Sequence, residues 1–438
     1  MEAIKARLRP IQIQRLDEVA DGMLKIYRTL VRMQYLEDSW VHEGPHDVDA
    51  FLPTWRQDGI PDSIAYLYSI LPYVDSYWNR GIDFVFGGMF VNFLHAEIAD
   101  YRNPMNTADN HYGALIYDAR RHVIGICGIE GETQDPNYTF KDQLKTYVSD
   151  EYDEYDSDDD APENHVWDEM KGRHAPKVLR DIVLWYKNLT QLPGGGEQSG
   201  GGSWSATLTK PLYIKHGWPH NFDGIGFLVD QVKTFAVLNA ERDPKPNMLA
   251  RINRFRRFLQ TPPPPQQADI TEHDNVEDFW YQRWRWFQDG LSRIDVPVLL
   301  QELERAYELP SDPQVRLLKK LRDGIRSREK ELSSGGILEM DNRPESAQIR
   351  MAYSRKCLDI QKRAYDECKT ELGGDAFFAQ HNMVETDLDP DKSPNPELQE
   401  RSRLHIEALR AWLVQVPQEA SRAREMAEIS IKDYEANL

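Results

Sequence analysis

NHYGALIYDARRHVIGICGIEG, Asn110–Gly131, decides how the first half of this chain is read. Two short runs rich in β-branched and aromatic residues, Gly113–Tyr117 and Val123–Ile126, flank a charged interruption of hairpin length, Asp118–His122. The stretch predicts two antiparallel strands inside a sequence that otherwise favours helix. Upstream, Gly59–Asp75 reads as an apolar helix opened by a turn, with Pro61 at its first turn, Asp62 suited to a helix start and Pro72 limiting it. Downstream, Tyr138–Val148 reads as a short amphipathic helix.

Working further outward, Ile13–Leu36 places Leu16, Val19, Met23, Ile26, Tyr27, Leu30 and Met33 three and four residues apart, as one buried helix face requires. Ile82–Phe86 alternates apolar residues with Asp83 and Val85 and runs into Gly87-Gly88, which predicts a third strand ending in a turn or bulge. The first 190 residues are therefore expected to be an α+β domain with a small, mostly antiparallel sheet covered by helices. Its last helix is predicted over Pro176–Leu189.

Beyond it, Leu192–Gly202 holds six glycines and reads as a flexible linker or loop over 191–203. Residues 204–261, with a helix at Ile225–Leu238, read as a helical extension of the first domain. Four prolines, Pro262–Pro265, form a short polyproline spacer within 262–268. Residues 269–438 have helix-forming composition in long segments without a repeated signature, so an all-α C-terminal region is expected rather than a solenoid.

The bulk numbers set limits on function. With 438 residues, 40% of them apolar and 11% aromatic, the chain can fill substantial cores. The net charge of −19 lies mainly in the first half and disfavours a role that neutralises many phosphates, so nucleic acid is not an expected partner. No run approaches the length of apolar residues that crosses a membrane, and the basic N-terminus lacks the apolar core of a secretion signal. Three scattered cysteines, Cys127, Cys357 and Cys368, suit a reducing compartment. The expectation is an intracellular protein, cytoplasmic or nuclear, without membrane attachment.

Candidate site residues are few. Asp150–Asp160, DEYDEYDSDDD, puts eight carboxylates in eleven positions and reads as an exposed arm. An EF-type calcium loop begun at Asp156 fails, because Ala161 stands where glycine is needed and Trp167 where a bidentate glutamate belongs. Asp153, Glu154, Asp156, Asp158, Asp159 and Asp160 could instead dock a basic protein partner. Ser157, preceding three aspartates, resembles a site for an acidophilic kinase.

Trp284 recurs at helical spacing with Trp280, Phe287 and Leu291, and Trp286 points from another face. Such a stripe reads as core or, where exposed, as a partner-binding surface formed by Trp284 and Trp286. His216, His220 and Asp223 could ligate a metal, but Trp218, Pro219 and Phe222 between them favour a packed turn with Asp223 capping the next helix. His111 lacks a nucleophile in a motif, and the Gly-rich segments lack the lysine and hydroxyl that a phosphate loop needs. Neither a cofactor nor a resident metal is expected.

The order of the N-terminal pieces resembles the SUKH superfamily of fungal cell-wall-synthesis regulators and bacterial toxin-immunity proteins. Ile60-Pro61-Asp62 with Leu67, Ile70 and Leu71 resembles that family's first helix, Asn110–Tyr117 its glycine-led strand, and Phe140–Leu144 its final helix. The resemblance covers residues 13–190. The family's Asn-Gly after the first helix is replaced here by Pro72-Tyr73-Val74-Asp75. Separately, IPDSIAYLYSILPYVD, NHYGALIYDAR and KHGWPHNFDG look like segments of large filamentous-fungal families that carry no known activity. SUKH likeness implies a binding or regulatory protein with no catalytic residue to carry over. The expected function is thus a non-catalytic interaction protein with a regulated acidic arm, the alternative being a hydrolase using His111 or the His216/His220/Asp223 cluster.

Overall fold

The computed structural model describes residues 2–74, 82–88, 90, 114–128, 132–139, 141–142, 171–194, 203–242, 244–260, 312–333, 344–388 and 396–435, with short pieces between 283 and 307. In chain order the first half contains α1 (Glu2–Lys5), α2 (Pro10–Arg32), β1 (Val41–His42), α3 (Leu52–Gln57), α4 (Asp62–Ile70), β2 (Tyr73–Val74), β3 (Ala114–Asp118), β4 (Val123–Cys127), β5 (Arg173–His174) and α5 (Ala175–Lys187). Then follow α6 (Ala206–Lys215), α7 (Gly224–Glu241), α8 (Lys245–Gln260), α9 (Pro313–Ser333), α10 (Pro344–Glu371), α11 (Asp375–Gln380), α12 (Pro396–Gln415) and α13 (Ser421–Glu435). The fold is α+β in the N-terminal half and helical in the C-terminal region. Two compact units share the chain: Met1–Val237 with Gly324–Cys368, and Leu238–Asp323 with Lys369–Leu438. They interleave along the sequence, so the expected break at 191–203 falls inside the first unit.

In unit 1, α2 buries the face its spacing predicts, with Leu16, Val19, Ile26, Tyr27 and Leu30 all inside. Pro10 opens it, where a missing N–H costs nothing, and the Gln12 side chain accepts the Arg9 N–H at 2.9 Å. Its end is set by Gln34 in the left-handed region (φ 60°), after which Tyr35 N–H closes onto Leu30 O. α2 lies against α5, and Gly22 makes the approach possible, because a Cβ there would sit 2.5 Å from Leu179 Cδ1.

The hairpin forms as expected, in the register Ala114↔Cys127 to Asp118↔Val123. Asp118 Oδ1 accepts the Arg120 and Arg121 N–H groups to form the turn, and His122 closes it with φ 52°. β5 pairs on the other side of β4, giving the antiparallel order β3-β4-β5. β4 is the central strand, so Ile124, Ile126 and Cys127 are all buried; hiding one such isoleucine contributes roughly 2 kcal/mol. Arg173 fixes β5 through a two-pronged pair with Asp135 (2.6 and 2.9 Å) and a third bond to Asp181 (2.7 Å).

The predicted strand at Ile82–Phe86 is not one. Val85–Gly87 is a 3-10 turn in which Phe86 (φ 53°) and Gly87 (φ 77°) are left-handed. Asp83 and Val85, which alternation assigns to the solvent, are buried together with Phe84. Burial on every side removes the period of two on which the reading depended. A second small sheet was not foreseen: β1 and β2 pair through Val41↔Val74 and His42↔Tyr73. Most of the helix expected at Tyr138–Val148 lies outside the described residues, as does most of the stripe from Trp280 to Leu291.

Unit 2 is helical among its described residues. α12 and α13 pack around Leu409, Trp412, Ala420, Ala423, Ala427 and Ile431. Ala423 and Ala427, four apart and fully buried, present a flat helix face that lets the backbones approach.

Candidate functional site

A cavity of about 490 Å³ opens in unit 1, walled by the stretch after α2, by α7 and by the parts of α9 and α10 within the unit. Four aromatic rings line it in two edge-to-face pairs: Trp40 with Tyr353, centroids 4.9 Å apart, and Tyr35 with Trp204 at 4.8 Å. Trp40 and Tyr35 are held by the chain reversal that ends α2. Tyr353 sits on the face of α10 that meets the unit 1 core. Ile82, Leu228, Val232, Ile349 and Ile360 supply aliphatic wall.

Polar groups interrupt this lining in two bonded sets. Lys356 Nζ donates to Glu37 Oε1 at 2.6 Å and to Gln34 Oε1 at 3.1 Å. Arg328 Nη1 donates to Glu331 Oε2 at 2.6 Å, and Ser354 Oγ donates to Glu331 Oε1 at 3.2 Å. Burial is the largest single influence on Arg328 and works against its charge, yet the Glu331 bond together with the attraction of Cys357, Glu331 and Tyr353 raises the guanidinium's pKa above its usual value. Both carboxylates of the wall are therefore matched by a cation.

Cys357 lines the same space, and burial raises its thiol pKa despite the bond from Tyr353 and the nearness of Arg328. It stays protonated at neutral pH and is a weak nucleophile. Tyr353 is pushed upward as well, first by burial and then by Cys357. The Oε1 of Gln361 is buried and accepts no hydrogen bond among the described residues. Gly324 on α9 leaves room for that amide, since a Cβ there would stand 3.3 Å from Gln361 Nε2.

The residues singled out in the sequence are distributed otherwise. Asp153, Glu154, Asp156, Ser157, Asp158, Asp159, Asp160, His111 and Trp286 lie outside the described residues. Trp284 is buried in the core of unit 2, 5.2 Å from Trp412, with Phe287 stacked on the same ring at 5.4 Å. Of the two readings of its stripe, core is the one Trp284 takes, and it offers no free docking surface.

His216 bonds through Nε2 to Asp230 Oδ2 at 2.8 Å, while its Nδ1 stands 4.0 Å from Asp223. Asp223 Oδ1 accepts the Gly226 N–H at the start of α7, and His220 is exposed. Trp218 is buried, donating its indole N–H to Tyr186 O, and Phe222 packs beside it. Burial opposes ionisation of Asp230, but the bonds from Lys215 and His216 prevail and lower its pKa. Among the described residues no group of three His, Cys, Asp or Glu side chains is placed to hold a metal ion.

No helix of the described residues is long and apolar enough to cross a membrane. No protein-family model, no curated protein and no solved structure matches the chain.

Proposed function

We propose that this is a non-catalytic recognition protein of regulatory type, in which the cavity of unit 1 receives a group of the ligand or partner. The observation that carries the reading is the cavity wall itself: about 490 Å³, within the range of ligand sites, with four rings and two ion pairs. A hydrolytic site needs a nucleophile beside a base. Here the one thiol in the wall is kept protonated, and His216 and His220, the described histidines of the alternative hydrolase, are not among the lining residues. The resemblance of residues 13–190 to SUKH proteins supports binding in the same way. In this proposal Asp150–Asp160 serves as a docking arm for a basic protein partner, strengthened by phosphate on Ser157.

The test screens a library of small fragments against the full chain by ligand-observed NMR. Compounds should bind the natural protein and be lost from Ser39→Trp, which blocks the exposed rim of the cavity without touching the core. Binding unchanged in that variant, or turnover of ester or amide substrates that disappears in His216→Ala, would overturn the proposal.

A further inference from the structure

We infer that the cavity of unit 1 takes a planar aromatic monocarboxylate, its carboxylate held side-on by the Nε and Nη2 donors of Arg328 and its ring laid against Trp40 and Tyr353. This rests on the recognition role proposed above and specifies its ligand.

The charge of the ligand is argued from the wall. The lining carries three cations, Arg328, Arg350 and Lys356, against two carboxylates, Glu37 and Glu331. With the Arg328 side chain 32% exposed and that of Lys356 29%, water screens the positive excess only in part. One negative charge on the ligand balances it, whereas a cation adds to it and a phosphate dianion overshoots it.

The anchoring residue is argued from donors still open. Lys356 directs two of its three N–H groups to Glu37 and Gln34, and Arg350 is engaged as well. Arg328 uses only Nη1, on Glu331. Its Nε and Nη2 groups meet no acceptor among the described residues, and neither nitrogen is sealed inside the protein. Those two atoms form the side edge of the guanidinium, whose parallel N–H groups match the two oxygens of one carboxylate. Nη1 lies outside that edge, so a ligand carboxylate joins Glu331 on the cation without displacing it.

The body of the ligand is argued from what surrounds the anchor. Arg328 lies near Tyr353 and Cys357, and Tyr353 forms the edge-to-face pair with Trp40, centroids 4.9 Å apart. A flat ring carried on the carboxylate gains buried area and quadrupole contacts on those two rings. The volume of about 490 Å³ admits a bicyclic compound.

The experiment is calorimetric titration of the full chain with indole-3-acetate, indole-3-acetamide and tryptamine, which share one ring system and differ in charge. The acetate should bind roughly ten- to hundredfold tighter than the acetamide, the range of a hydrogen bond to a charged group, and tryptamine should bind most weakly. In Arg328→Gln the acetate should fall to within about threefold of the acetamide, whose own affinity changes little. Arg328→Lys keeps the charge beside Glu331 but not the fork, so its preference for the acetate should be smaller than the natural one. This second variant decides the matter if circular dichroism shows the first misfolded. Equal affinities for the acetate and the acetamide in the natural protein, tryptamine binding tightest, or an undiminished preference in either folded variant would overturn the inference. If none of the three binds while other fragments still do, this inference fails and the recognition role stands; if no compound enters the cavity, the role itself fails.

Discussion

Arg173 has surrendered nearly all contact with water, its side chain being 1% exposed, and so has its partner Asp135 at 2%. Such a pair adds little over an apolar replacement of both, but removing one member strands the other. Arg173→Met should therefore cost about 3–5 kcal/mol, read as a lower denaturant midpoint. Arg173→Lys should recover only part of this, because an ammonium cannot reproduce the two parallel bonds. A loss below about 1 kcal/mol, the size of an exposed pair, would contradict the buried geometry. His122 is the second residue with a measurable signature. Its Nδ1 meets the Tyr117 hydroxyl at 2.9 Å and its Nε2 meets Glu18 at 3.3 Å, with Arg15 and the His174 ring also facing it. Burial lowers its pKa more than the Glu18 bond raises it. The unfolded chain, with an ordinary value of about 6.5, then binds the proton more readily than the folded one. Stability should be full above about pH 6.5 and decline as the pH falls toward the folded value. His122→Gln should flatten part of that decline; His46, also lowered by burial, retains the rest. Unfolding free energies between pH 7.5 and 5 check this, and a protein that gained stability on acidification would refute it.

Among the elements, α2 and α5 show two local preferences in opposition. Alanine is a better helix former than glycine by about 1 kcal/mol, so propensity alone says that Gly22→Ala stabilises. Packing says otherwise, since the new methyl would meet Leu179 Cβ at 2.9 Å as well as its Cδ1, and the root of a side chain cannot swing away. We expect a net loss of about 1–3 kcal/mol, as overpacked cores show, measured against Gly59→Ala as a comparison site where nothing lies within 4 Å but φ is +73°. A stabilised Gly22→Ala would mean the helices can part freely. The hairpin β3–β4 and the buried face of α2 were legible because each expresses one clean period. β5 and the β1–β2 pair were not, for strands of two residues hold no period to read. The Phe84–Gly88 turn misled for the opposite reason: its apolar pattern is genuine but reflects burial from all directions.

At the scale of the molecule, each unit owns a core. Leu409, fully buried in unit 2, should cost about 2–5 kcal/mol when cut to alanine, seen as faster amide exchange in α12 and α13. Equal loss of protection in α2 and α5 would show one cooperative system instead of two. The candidate site was illegible in the sequence because no local motif builds it. Arg328 and Glu331, or Tyr353 and Cys357, are ordinary neighbours on amphipathic helices until the chain brings Glu37 and Trp40 to them. That separation has a consequence in time. Glu37 and Lys356 stand 319 positions apart, so a ribosome adding about 5–20 residues per second makes the carboxylate roughly 15–65 s before the ammonium that will neutralise it. Throughout that interval Tyr35, Trp40 and Glu37 form a wall without its counterpart, and the cavity exists only on chains whose synthesis has passed Gln361. In the role proposed above, a chain whose synthesis stops before Gln361 would therefore neither sequester a ligand nor compete for one.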